Sequence, residues 1–329
     1  MGYYLLLTSE VVNEVMPSRG DGGGGGGGMF DVAEKSDTLR LATAQAVVRI
    51  SPLTSKLIKE GKSPKGNVFD AARIAATMAA KRTSDLIPYC HPIPIDDVKV
   101  DVLLKDDYFI EIKVQVKTVW KTGVEMESLT AACVASLTIY DMLKPIDESL
   151  TIESVKLLEK HGGTKDFHER HVREFKAAVL VTSDSRGEKE DKSGKIIIDK
   201  LKENGFDIIE YKVIADDINT IESELKRFCD ELKPDVVITS GGTGVGPRDN
   251  TPDATKKIIQ KELAGIAETL RSYGQRRTPL SMLSRGIAGV RGRTLIVNLP
   301  GSTKAVSQSL NSMFPGILHI FNMLEGKGH

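Results

Sequence analysis

The sequence predicts two folded domains of different class: an α+β sandwich over residues 29–167, then an α/β three-layer domain with a mostly parallel sheet over 176–329. Three observations lead to this reading. Seven consecutive glycines, Gly22 to Gly28, cannot pack; they set residues 1–28 apart as a flexible extension, with Met29 opening the first domain. A polar, charged run at 168–175 follows Gly162-Gly163 and reads as a linker. The segments on either side of that linker differ in hydrophobic rhythm.

In the first domain, residues 67–82 carry apolar side chains at helical spacing. Runs 98–104 and 109–116 alternate apolar with polar and are joined by Lys105-Asp-Asp107, which predicts a hairpin. Residues 125–143 form a long Ala-rich helix after Gly123, and 151–158 is strand-like. In the second domain, strands at 177–183, 207–214, 235–240 and 293–298 alternate with helices at 193–204, at 217–232, after 251 and near the C-terminus. That βαβ rhythm puts helices on both faces of a sheet and ligands at the carboxyl ends of its strands.

Bulk properties exclude several functions. Lys plus Arg is 45 and Asp plus Glu is 45, so the formal net charge is zero, against general nucleic-acid or anionic-membrane binding. Cys90, Cys133 and Cys229 are odd in number and lack a Cys-x-x-Cys spacing, which predicts neither disulfide framework nor zinc site, and a reducing cytoplasmic setting. No apolar run approaches a membrane span, and the short apolar patch at 3–8 lacks the flanks of a signal peptide.

The chemistry of the second domain concentrates in the segment 239–253. Gly241, Gly242, Gly244 and Gly246, around Thr243, let the backbone approach a ligand closely. Their N–H groups and the following helix N-terminus suit a phosphate, while Asp249 and Asp253 offer carboxylates for a divalent metal. Neither a P-loop nor a dinucleotide fingerprint is present. Two further loops end on the same sheet edge, one carrying Ser183 and Asp184, the other Pro300, Gly301 and Ser302.

In the first domain Lys65 precedes a helix, and Tyr89, Cys90 and His91 form a turn between prolines. Glu125, Met126 and Glu127 open the long helix, where the dipole favours carboxylates, and Asp141 and Lys144 share a face at its end. Singly, these are ordinary caps and solvated ends. On so apolar a helix they frame a pocket able to bind a triphosphate and move protons.

At these residues the first domain resembles the cyclic pyranopterin monophosphate synthase (MoaC) family. The matching segments include Lys65-Gly-Asn-Val-Phe69, Leu86-Ile-Pro-Tyr-Cys-His-Pro92, Lys121-Thr-Gly-Val-Glu-Met-Glu127 and Leu137-Thr-Ile-Tyr-Asp-Met142; Asn67 stands where the family usually has Asp. The resemblance implies a ferredoxin-like fold, a hexamer with sites at subunit interfaces, and conversion of a cyclised dihydro-GTP to cyclic pyranopterin monophosphate and pyrophosphate. It assigns Asp141, Lys65 and Lys144 to catalysis and Tyr89 to His91, Met126 and Glu127 to substrate contact. The second domain resembles the molybdopterin-binding MoaB/MogA family through Val181-Thr-Ser-Asp-Ser185, Glu190-Asp-Lys-Ser-Gly194, residues 239–251 and Asn298-Leu-Pro-Gly-Ser302. That implies adenylylation of molybdopterin, with ATP as co-substrate, Mg2+ held by Asp216 and Asp249, and no tightly bound organic cofactor. The alternative is a non-catalytic pterin-binding or oligomerisation module. The expected partners are small pterins and nucleotides, and further copies of the chain in three-fold symmetry.

Overall fold

A computed structural model describes residues 28–163, 166, 174–183 and 190–326. Residues 1–27 of the expected extension, most of the expected linker, and Asp184 lie outside the described residues.

The first sheet holds β1 (Thr38–Arg49), β2 (Asp97–Lys105), β3 (Phe109–Trp120) and β4 (Thr151–Gly162) in the order β2-β3-β1-β4, every pair antiparallel. Three short or medium helices, α1 (Pro52–Lys59), α2 (Val68–Lys81) and a single turn at Thr83–Leu86, separate β1 from β2; the long α3 (Glu125–Leu143) separates β3 from β4. This is a split βαβ connectivity. The hairpin falls where expected, with Asp106 and Asp107 at positive φ. β1 is the element the sequence pattern conceals. Its inward residues are Ala42, Ala44, Ala46 and Val48, all fully buried. Alanine has weak strand preference, yet here it lets α2 and α3 lie close through their own alanines, Ala72, Ala76, Ala131, Ala132 and Ala135. Asn67 caps α2 by accepting N–H bonds from Phe69 and Asp70, a service Asp or Asn performs equally well.

The second sheet contains β5 (Phe175–Thr182), β6 (Phe206–Ile214), β7 (Val236–Ser240), β8 (Lys261–Glu262), β9 (Ala288–Arg291) and β10 (Thr294–Leu299) in the order β6-β5-β7-β10-β9-β8. The first four in that order run parallel; β9 and β8 add an antiparallel edge. One face is covered by α4 (Lys192–Glu203), α7 (Ala264–Gln275), α8 (Thr303–Met313) and α9 (His319–Leu324). The other takes α5 (Ile218–Arg227) and α6 (Thr251–Ile258). The expected helix 217–232 is α5 continued by a π-helical turn, Phe228–Leu232, that stops at left-handed Lys233. Leu299 and Val181 both pair with Ser240, so the three loops foreseen at the sheet's carboxyl edge meet.

The halves touch through the segment ahead of β1. Tyr273 Oη, at the end of α7, donates to the Glu34 carbonyl, Arg277 Nη2 donates to the Ala33 carbonyl at 2.6 Å, and Arg276 pairs with Asp37. The Arg277 guanidinium lies 3.4 Å from the Tyr273 ring centroid.

Candidate functional site

The first domain carries two clusters at opposite ends of α3. At its C-terminal end Asp141 is clamped by two ammonium groups: Lys144 Nζ is 2.8 Å from Oδ1 and Lys65 Nζ is 2.7 Å from Oδ2. Lys65 also reaches the Asp141 carbonyl at 3.0 Å. The hydrogen bonds from Lys144, and then Lys65, hold the Asp141 carboxyl down at about 2. The same bond to Asp141 raises Lys144 above the ordinary lysine range. Asp141 is thus a fixed anion that orients two proton donors.

At the N-terminal end, Glu127 is buried at 2% exposure, and burial pushes its carboxyl above the ordinary range. Cys90 Sγ donates to Glu127 Oε1 at 3.4 Å, and Glu127 Oε2 has no hydrogen-bond partner among the described residues. Burial, and then the neighbouring Glu127, push the Cys90 thiol up to about 11, so it is a neutral donor. His91 Nε2 lies 2.9 Å from the Phe30 carbonyl, and Tyr89 and Met126 are exposed. Glu125 faces a separate cavity of about 360 Å³ with Lys35, Arg40, Lys121 and Lys160; Lys160 Nζ is 3.1 Å from its Oε1. Arg40 donates to the carbonyls of Trp120 and Lys121 at 3.3 Å, which fixes the turn that launches α3. The basic lining of this cavity was missed in the sequence: Lys35 and Arg40 carry no local motif, and Lys160 joins them from 120 residues beyond Arg40.

The sixteen-residue step from Glu125 to Asp141 spans roughly 24 Å of helix. A single chain therefore does not unite the residues singled out in its first half. It presents two separate clusters.

In the second domain Ser183, Asp216, Gly241, Gly242, Gly301 and Ser302 line one cleft of about 450 Å³. Gly242 has φ +59; a Cβ there would lie 2.5 Å from Thr251 Oγ1 and 2.7 Å from Asp216 Oδ1. A Cβ on Gly301 would lie 3.3 Å from Gly241 Cα, so the two loops meet through glycines. Ser302 caps α8 by accepting from Ala305 N at 3.3 Å, which leaves its hydroxyl hydrogen free to donate. Thr243, Gly244 and Asp249 are not part of that lining. They bend away toward Arg285, whose N–H reaches Thr243 O at 2.8 Å, whose Nε reaches Gly244 O at 2.7 Å and whose Nη2 donates to the Asp249 carbonyl. Arg285 also pairs with Asp253 at 3.0 Å. The Asp249 carboxylate accepts Gly246 N–H at 2.7 Å, inside its own loop. Arg285 was invisible to pattern reading because it lies more than thirty residues beyond the loop it ties.

Asp191, also in the cleft wall, accepts from Ser193, Gly194 and Tyr211. Burial alone would raise its carboxyl; those hydrogen bonds outweigh it and lower it. Ser302 is shared with a second cavity of about 320 Å³, walled by Pro300, Leu270, Arg271, Asn298, Lys304 and Gln308. The cleft's carboxylate, hydroxyls and glycine N–H groups are hard oxygen and amide donors of the kind that suit a phosphate with Mg2+. Among the described residues no group of three or more His, Cys, Asp or Glu side chains is arranged to hold a metal unaided, so a cation there would complete its shell with ligand oxygens and water.

Two family models match the chain. The MoaC family model matches residues 29–163, and that of the probable molybdopterin binding domain matches 178–319. A molybdenum cofactor biosynthesis bifunctional protein from Chlorobaculum tepidum is 40% identical over 303 residues, 92% of this chain and 96% of that protein. The chain belongs to the bifunctional molybdenum cofactor biosynthesis proteins. A cyclic pyranopterin monophosphate synthase from Thermomicrobium roseum is 49% identical over 152 residues, 44% of this chain and 92% of that one. A crystal structure of the molybdopterin biosynthesis enzyme MoaB from Thermus thermophilus is 41% identical, covering 46% of this chain and 98% of that chain at a TM-score of 0.44. No helix of the described residues is long and apolar enough to cross a membrane.

Proposed function

We propose that this bifunctional protein catalyses two separated steps of cofactor assembly. Its first domain, read as ferredoxin-like, converts a cyclised dihydro-GTP to cyclic pyranopterin monophosphate with release of pyrophosphate. The observation that carries this is the Lys65–Asp141–Lys144 clamp: one fixed carboxylate holds two ammonium groups as proton donors and phosphate ligands. The complete site forms between copies of the chain, where one subunit's clamp meets another's Cys90, His91 and Glu127. Replacing Lys144 with Ala is expected to lower pyranopterin formation ~10²–10⁴-fold, the usual contribution of general acid–base catalysis. Folding should survive, since the side chain is exposed. Near-normal product formation by that variant, measured in a coupled assay, would remove Lys144 from the reaction.

The second domain, on this reading, adenylylates molybdopterin. Two cavities that meet at Ser302 support a two-substrate transfer over simple pterin binding. The glycine N–H groups and Ser302 would hold phosphate, and Asp216 is the carboxylate that faces the cleft. Asp249, whose carboxylate accepts Gly246 N–H in its own loop, would be the second residue to hold the metal. Bound Mg2+ supplies charge neutralisation at the phosphates. Loss of a metal ligand should cut turnover more than pterin binding. Asp216→Asn and Asp249→Ala are therefore expected to bind molybdopterin while losing ATP-dependent adenylylation. Unmodified protein that binds pterin and never consumes ATP would instead favour the non-catalytic module.

A further inference from the structure

Lys35, Ser36 and Lys121 belong to two cavities at once. One is the first-domain cavity that holds Glu125 and Arg40. The other, about 650 Å³, lies between the domains, and its far wall is α7 with Glu268, Thr269, Ser272 and Arg276. The first-domain cavity thus opens onto a wall supplied by the second domain. Lys35, Arg40, Lys121, Lys160, Arg276 and Arg277 outnumber Asp37, Glu125, Asp166 and Glu268 there, a local cationic excess in a chain of zero net charge. Lys160 is taken up by Glu125, and Arg277 by the Glu34 carboxylate at 3.4 Å, the Ala33 carbonyl and the Tyr273 ring. Lys35 and Lys121 have no carboxylate within ion-pair distance among the described residues. Arg276 pairs with Asp37, yet its side chain is 64% exposed, so it can exchange that carboxylate for another anion.

We propose that Arg276 of the second domain, with Lys35 and Lys121 of the first, forms a diphosphate site serving the first-domain reaction. The inference rests on the synthase reading of that domain. A guanidinium matches two phosphate oxygens in a planar fork, and two ammonium groups supply mobile point charges around it. Asp37 binds the guanidinium through Nη1 alone and would be displaced by a phosphate that takes both nitrogens. The ligand is either the polyphosphate end of the substrate or the free pyrophosphate that leaves, and both present the same chemistry.

The test is calorimetric titration of the full chain with inorganic pyrophosphate, alongside turnover. Arg276→Gln and Lys35→Gln should each weaken pyrophosphate binding ~10–100-fold, the range expected for a lost charge-assisted hydrogen bond. Asp37→Asn breaks the same interdomain ion pair while sparing the cation, and it should leave binding unchanged or tighter. Equal weakening by Arg276→Gln and Asp37→Asn would mean that Arg276 only docks the domains. Binding within twofold of the parent in Arg276→Gln would remove the second domain from the site. Either result overturns the proposal. A raised KM in Arg276→Gln assigns the site to the substrate's phosphates; weaker pyrophosphate inhibition at unchanged KM assigns it to the leaving group. A parent chain that forms no pyranopterin would sink the synthase reading alone, because calorimetry reads the anion site independently.

Discussion

Asp141 is ionised over the whole range in which the protein would work, because two ammonium groups hold its carboxyl at about 2. It is therefore a poor base, and in the proposed reaction proton donation would fall to its lysine partners. Lys144 sits above its ordinary range by virtue of Asp141. A pH–rate profile should accordingly show no Asp141 limb above about pH 3, given a carboxyl that is half-protonated only near 2. Asp141→Asn should move any Lys144 limb to lower pH; a limb that stays in place would uncouple the two residues. In the second domain the sensitive position is Gly242. Gly242→Ala puts a methyl on a φ of +59 and against Asp216 Oδ1. We expect a stability loss of about 1–3 kcal/mol by thermal or denaturant unfolding, the scale of a strained backbone, and a displaced Asp216. Adenylylation at the parent rate would show that Asp216 need not hold its place.

Two elements depend on single side chains that knit distant segments together. Asp147, just after α3, accepts Ser51 N at 2.7 Å and Ser149 Oγ at 2.6 Å, so it ties the start of α1 to the end of the long helix. Burial would raise its carboxyl, but hydrogen bonds from Ser149, Ser51 and Thr54 prevail and bring it to about 2. Its folded value lies below the unfolded one, so its stabilisation is present above roughly pH 4 and is lost as pH falls toward 2. Asp147→Asn should flatten that part of an acid-unfolding curve; an unchanged curve would assign acid sensitivity elsewhere. Arg285 does the same for the loop ahead of α6. Arg285→Lys cannot reproduce its fork, and hydrogen exchange at 243–249 should quicken while the sheet stays protected. The long helix was legible in full, 125–143, because an apolar run bounded by Gly123 and a charged end has one reading. β1 was not, since alternating alanines are a feature of the helix packing laid over them and not of strand chemistry. The glycine loop was legible locally, whereas the arginine that shapes it, and the direction in which Asp249 turns, exist only in the fold.

At the scale of the molecule, the described chain leaves apolar residues uncovered on the outer faces of α2 and α3: Ile74 at 62% exposure, Met78, Leu137 at 58% and Tyr140. Such a stripe, beside two clusters that one chain keeps apart, argues for self-association. We expect a homo-oligomer with three-fold symmetry by light scattering, and dissociation with loss of synthase activity in Leu137→Glu; a stable, active monomer at micromolar concentration would contradict this. Mixing Lys144→Ala with Glu127→Gln, each inactive alone, should restore activity by giving some interfaces two intact halves. No recovery on mixing would return the site to one chain. The contact between the halves has a further consequence. Tyr273 meets Glu34 across 239 residues of sequence, whereas the first sheet is complete by Gly162. During synthesis the ribosome must add more than a hundred residues after that sheet closes before α7 exists, on the order of ten seconds at ordinary elongation rates. Residues 33–37 therefore emerge first and engage last: the nascent synthase fold waits with its anchoring segment free, and translation itself sets the order in which the two halves are joined.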